Sequence, residues 1–168
     1  GGKMCKIAFV GGKLVDGTGA APVEDSLVLV EDKKIAYAGP RTEVPEGYEV
    51  RDIQDRTIMP GLIDTHLHFS GNLTDNDNDW VIESVAQKQA CAVKQSWDAL
   101  THGLTTVCEI GRNGIAIRDL VNMGVMEGPR IYATGLGFCR VAGHGDCHQL
   151  PLEISKNGHP WGDQVDGP

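Results

Sequence analysis

The chain has 168 residues, with 23 Asp and Glu against 15 Lys and Arg and a formal net charge of -8. That balance, with no clustered Lys or Arg, argues against a nucleic-acid partner. No stretch approaches the ~20 apolar residues of a membrane span, and no charged-then-apolar leader opens the chain. Apolar residues make up 40% of the sequence, enough to bury a core, so the expectation is a folded cytoplasmic protein rather than a disordered one. Five cysteines, Cys5, Cys91, Cys108, Cys139 and Cys147, are odd in number and scattered. They read as reduced core residues, not as a disulfide framework.

The chain opens as short strands broken by turns. Ile7 to Val10 is apolar and meets Gly11-Gly12, and Asp16-Gly17-Thr18-Gly19 is turn chemistry. Ser26 to Glu31, a polar turn at Asp32-Lys33-Lys34, and Ile35 to Ala38 predict a hairpin. Val50, Ile53 and Ile58 predict a last pair of strand-like pieces. Many short strands at regular spacing point to a small β-sandwich over residues 1–58.

From residue 59 the texture changes. Leu62-Ile63 leads into Asp64-Thr65-His66-Leu67-His68, followed by a loop rich in Asn and Asp. Over Asp79 to Leu100 the residues Ile82, Val85, Ala86, Val93, Trp97 and Leu100 fall in one stripe at helical spacing, which predicts a packed helix ended by Gly103. Leu104 to Ile110 predicts a strand buried on both faces. Arg118 to Met123 predicts a short helix, and Arg130 to Thr134 a third strand. Strand, helix, strand, helix, strand is the grammar of a parallel sheet or barrel. From Gly135 onward no periodicity is legible.

His66 and His68 carry the clearest chemistry. On a strand, residues two apart share a face, so the two imidazoles can grip one metal ion from one wall, with Asp64 on the same face. Imidazole nitrogen suits zinc and similar ions. On spacing alone, a pair of surface or hydrogen-bonded histidines at a strand end remains open.

The run Met59-Pro60-Gly61-Leu62-Ile63-Asp64-Thr65-His66-Leu67-His68 resembles the first barrel strand of the amidohydrolase superfamily. Three further stretches resemble it in order: Gly12 to Gly17 its small β domain, Ala99 to Val107 its helix-to-second-strand joint, and Gly128 to Asp146 the third-strand region of one branch. That branch holds imidazolonepropionase-like enzymes and prolidase-like carboxypeptidases. The resemblance implies an α/β fold. A small N-terminal β-sandwich would be followed, over residues 59–168, by the first strand-helix units of a (β/α)8 TIM-type barrel, incomplete in this chain. A whole barrel takes roughly 250 residues. The resemblance also implies metal-activated hydrolysis of an amide or other C–N bond, with one or two divalent ions, zinc by default, and His66 and His68 on the more buried one. An aspartate on the eighth strand would move the proton, and a lysine or glutamate with two later histidines would complete the ligands. None of these can be placed here.

His144, between Gly143 and Gly145, would lie beside the substrate in that branch; a loop histidine bonded to nearby backbone is the plain alternative. Arg140 departs from the branch pattern and offers a fork for a carboxylate, or else faces solvent. His144, Cys147 and His148 form a cluster of three, short of the four ligands of a structural zinc site. Asp146 reads as a loop acceptor, His102 as a helix-end cap, and His159 as loop packing. Glu109 falls near the strand end where barrel sites gather, or is an ion-paired strand terminus.

Two functional readings follow. In one, the complete protein is a metal-dependent amidohydrolase acting on a small, carboxylate-bearing substrate such as a dipeptide, an N-acyl amino acid or a cyclic amide. In the other, the 168 residues are a non-catalytic fragment or subunit that neither folds well nor catalyses until a second polypeptide supplies the rest of the barrel. A bare parallel sheet edge favours the second. Homo-oligomerisation is expected from the branch.

Overall fold

The apolar run Ile7 to Val10, of which Ala8 and Val10 are buried, builds the first strand, β1 (Lys6–Leu14). The computed structural model describes residues 5–72, 74, 82–146, 151, 153, 162–165 and 167. The chain divides into two units, Gly1–Pro60 and Gly61–Pro168.

In the first unit β1 is joined by β2 (Ser26–Glu31), β3 (Lys34–Pro40) and β4 (Glu49–Ile58) in a sheet of order β3-β2-β1-β4. The expected hairpin is β2–β3, antiparallel, with Asp32 at φ 54° in its turn. β1 pairs antiparallel with β2 and parallel with β4. Ala8 and Val10 of β1 and Leu27 and Leu29 of β2 form the core, packed by Tyr37, Val44 and Tyr48.

Two expectations for this unit change. Gly11-Gly12 does not end β1 but lies within it, at φ 75° and 67°, where the register with β4 shifts. The pieces around Val50 and Ile58 are one strand of 10 residues, bulged where Gln54, at φ 54°, faces Gly11. A bulge adds a residue without ending the ladder, so turn-like residues need not mark strand ends. At Gly12 a Cβ would meet the Arg56 carbonyl oxygen at 2.4 Å, which explains the glycine.

The second unit runs β5 (Leu62–Leu67), α1 (Val85–Thr101), β6 (Leu104–Glu109), α2 (Gly114–Asn122) and β7 (Arg130–Ala133). β5, β6 and β7 form a parallel sheet in chain order. Phe69, Ala92, Ala99, Val107, Ile117 and Ile131 are its buried core. After this come β8 (Gly137–Cys139) and β9 (Gly162–Gln164), paired parallel. The stretch expected to lack structure therefore holds a small sheet, too short for any period to show.

The helix begins later than expected, at a capping box in which Ser84 and Gln87 satisfy each other's backbone amides. Its buried residues are Ala92, Ser96 and Ala99, not the large apolar stripe: Ile82 is 77%, Val85 75% and Trp97 45% exposed. Small side chains let α1 approach the sheet closely; of the stripe, Val93 and Leu100 are half-buried and Ile82, Val85 and Trp97 stay exposed. β6 is likewise not buried on both faces, since only Val107 and Glu109 are fully buried. Cys5, Cys91, Cys108 and Cys139 are free thiols. Cys5 is exposed and the other three half-buried, so they are not the core residues expected. No helix among the described residues is long and apolar enough to cross a membrane.

Gly61 has a steric reason. A Cβ there would lie 1.9 Å from Thr105 Oγ1 and 2.6 Å from Thr105 Cβ, so β5 can enter beside β6 only without a side chain. Gly61→Ala should lower unfolding stability by about 1–3 kcal/mol. Combined with Thr105→Ala, it should lose less than the sum of the two single changes. Denaturant titration of the four variants measures this, and additive losses would mean that the contact does not set the strand pairing.

Candidate metal centre

Position in β5 decides what the histidines face. Leu67 and Phe69 pack into the core on the helix side. His66 and His68, one residue out of step with them, therefore turn to the opposite face of the sheet. His66 is exposed and His68 half-buried. Their rings meet edge-on with centroids 4.9 Å apart, and the two Nε2 atoms are 3.2 Å apart.

The other nitrogen of His68 sets its protonation. Nδ1 lies 2.5 Å from the Ile110 carbonyl oxygen, which can only accept, so Nδ1 carries the proton and Nε2 presents its lone pair. A tetrahedral zinc with bonds near 2.05 Å would hold two nitrogens about 3.3 Å apart. The observed separation matches that need, and here it is spanned by an N–H···N hydrogen bond between the two rings. Among the described residues no third His, Cys, Asp or Glu joins the pair. Asp64 does not: its Oδ1 accepts from the His66 amide at 3.0 Å, because the strand is irregular between Asp64 and Leu67.

Arg140 and His144 share one exposed turn after β8. Gly143 N–H donates to the Arg140 carbonyl at 2.9 Å, and Asp146 N–H to the Gly143 carbonyl at 3.0 Å. Asp146 Oδ2 accepts from the Ala142 amide at 2.8 Å, the loop-acceptor role expected of it. Ala142, at φ 62°, takes the left-handed corner. No side-chain hydrogen bond or ion pair among the described residues links Arg140 or His144 to the histidine pair. Cys147, His148 and His159 lie outside the described residues. His102 caps α1, with Nδ1 2.7 Å from the Asp98 carbonyl.

Sequence reading left Glu109 open and missed Asn113. Glu109 is 1% exposed, and its Oε1 accepts from the Phe69 amide at 3.2 Å. It is a buried carboxyl held by backbone rather than an ion-paired terminus. Burial raises its pKa, against the lowering effect of the Phe69 and Gly114 amides. Asn113 Nδ2 donates to the Phe69 carbonyl at 2.7 Å and the Ser70 carbonyl at 3.3 Å. The available signal was Gly111 and Gly114, where a Cβ would meet the Glu109 carboxylate at 2.8 and 1.9 Å.

A raised pKa means that the folded state holds the Glu109 proton more tightly than the unfolded chain does. The favourable contribution is then complete at low pH and is lost as pH climbs through the folded pKa. Stability should fall across that window, and Glu109→Gln should flatten the fall. Thermal unfolding between pH 4 and 8 checks it; an equal slope in the variant would exclude Glu109 as the source.

Residues 57–155 match the amidohydrolase family. The sequence is 32% identical over 147 residues to ochratoxinase of Aspergillus niger, covering 83% of this chain and 30% of the relative. It is 41% identical over 173 residues to a 5-methylthioadenosine/S-adenosylhomocysteine deaminase of Symbiobacterium thermophilum, covering 84% and 39%. The crystal structure of A. niger ochratoxinase superposes with a TM-score of 0.76 at 24% identity, over 99% of this chain and 42% of that one. A prolidase complexed with N-methylphosphonate-L-proline gives 0.76 at 23%, over 96% and 41%. At that identity the structures speak for the fold alone, and the chain spans between about a third and two fifths of the relatives' length. The barrel-type fold expected from the motifs is the fold of these neighbours. With the match over 57–155 and the histidine pair inside it, the chain belongs to the amidohydrolase family and carries the N-terminal portion of its fold.

Proposed function

We propose that His66 and His68 hold a divalent metal, zinc in the first instance, in a hydrolase that cleaves an amide or other C–N bond of a small, carboxylate-bearing molecule. One observation carries this reading: two Nε2 atoms 3.2 Å apart, one of them presented by a ring whose Nδ1 is tied to the Ile110 carbonyl. A metal held there supplies a water of lowered pKa and polarises the scissile carbonyl. His68, its Nδ1 tied to the Ile110 carbonyl, would hold such a metal through Nε2, and the exposed His66 would supply the second nitrogen.

Arg140 offers a planar fork for the substrate carboxylate, and His144, one turn on, a donor or acceptor beside it. Dipeptides, N-acyl amino acids and cyclic amides all fit that recognition. The remaining ligands and the proton shuttle belong to strands that this chain does not span. A site for one metal or two is completed by the rest of the barrel, in one polypeptide or in a second one. A homo-oligomer is the assembly proposed.

The second reading, a chain without catalysis of its own, draws support from the count of two ligands among the described residues. The two readings separate by binding first and turnover second. His66→Ala and His68→Ala should each weaken zinc binding by about 100-fold or more, measured by titration against a competing chelator. Zinc affinity unchanged in both variants would refute the assignment. Zinc bound by the wild-type chain, without hydrolysis of any N-acyl amino acid or dipeptide offered, would favour the second reading.

A further inference from the structure

The residues after β6 grip the residues after β5 through a run of short contacts. Ile110 N–H donates to the Leu67 carbonyl at 3.0 Å, and the Ile110 carbonyl takes the His68 Nδ1 proton. Glu109 Oε1 holds the Phe69 amide, while Asn113 Nδ2 holds the Phe69 and Ser70 carbonyls. Asn113 is in turn aimed by α1, since Gln89 Nε2 donates to Asn113 Oδ1 at 2.6 Å. Glu109, Asn113 and Phe69 are all buried. Phe69, the residue that follows His68, is thus fixed on both its amide and its carbonyl by two side chains 40 and 44 residues away in sequence.

We infer that Asn113 and Glu109 are positioning residues for the metal centre: by clamping the Phe69 peptide they hold His68 against the Ile110 carbonyl and aim its Nε2 beside that of His66. This rests on the metal reading of the histidine pair. Both act through the backbone of the residues that follow His68. A ring free to swing would lose the Ile110 acceptor, take up the other tautomer for part of the time, and cover its ligating lone pair with a proton. A partner bonded to a ligating imidazole, as the Ile110 carbonyl is to His68, is commonly worth 10–100-fold in metal affinity, and Asn113 and Glu109 keep that partner in place. The roles of the two residues differ. Asn113 acts as a donor to carbonyls, so only an amide of that length serves. Glu109 needs only an acceptor oxygen, so glutamine can replace it.

The test uses the chain labelled with 15N-histidine. Metal-free NMR gives the His68 tautomer, chelator competition gives the zinc affinity, and circular dichroism confirms folding. Asn113→Ala should lower zinc affinity by roughly 10–100-fold and reduce the Nδ1–H fraction of His68. Glu109→Ala should do the same, and Glu109→Gln should restore both. Gln89→Ala, which releases only the far end of Asn113, should cost several-fold and decides the matter if Asn113→Ala does not fold. Wild-type affinity and tautomer in a folded Asn113→Ala or Gln89→Ala variant would overturn the inference, as would equal losses in Glu109→Ala and Glu109→Gln. If wild type takes up no zinc, the metal reading fails. The tautomer readout then still tells whether Asn113 and Glu109 set the His68 ring.

Discussion

The second unit depends on how the end of β6 holds the end of β5. Backbone pairing stops where the strands stop, and beyond it the chain must satisfy each buried amide and carbonyl by other means. Here Glu109 and Asn113 supply those partners from one short segment, and the His68 imidazole ties into the same segment through Ile110. Such an arrangement is demanding, because removing one partner leaves a buried group unsatisfied at about 1–3 kcal/mol. Among the described residues the Glu109 Oε2 atom has no hydrogen-bond partner within normal distance, in keeping with a carboxyl whose pKa burial pushes up. The same contacts hold the backbone beside His68 and its ring against the Ile110 carbonyl.

The same region explains the glycines. Gly111 and Gly114 lie so close to the Glu109 carboxylate that any side chain would displace it. Gly61 does for the entry of β5 what they do for its exit, by letting the strand pass Thr105. The helix above contributes Ala92, Ser96 and Ala99 rather than large side chains. Close approach of backbone to backbone is the recurring solution, and it puts Gln89 of α1 within reach of Asn113.

Much of this was legible in the sequence where the signal is local. The β2–β3 hairpin, the order of strands and helices after residue 60, and the shared face of His66 and His68 follow from turn chemistry and from the two-residue period of a strand. Misreadings came where tertiary contacts overrode local pattern. Gly11 and Gln54 together make a bulge that each alone disguises as a strand end. The stripe through Val85 and Trp97 has the right period, yet the sheet takes the small residues of the same helix. Asp64 shares the histidines' parity but turns back to the His66 amide. The Asn113 clamp was invisible because its partners are 43 and 44 residues distant, and no spacing rule reaches that far. Motif resemblance carried the family further than any period could, since Pro-Gly and His-x-His record contacts already selected.

The most direct measurement is X-ray absorption at the zinc edge on protein loaded with one equivalent of zinc, for wild type and for the His66→Ala, His68→Ala double variant. Wild type should show nitrogen neighbours at about 2.0–2.1 Å with the outer-shell scattering of two imidazoles, and the double variant should lose that outer shell. A wild-type spectrum without imidazole scattering, or one unchanged by the double substitution, would contradict a metal centre built on His66 and His68.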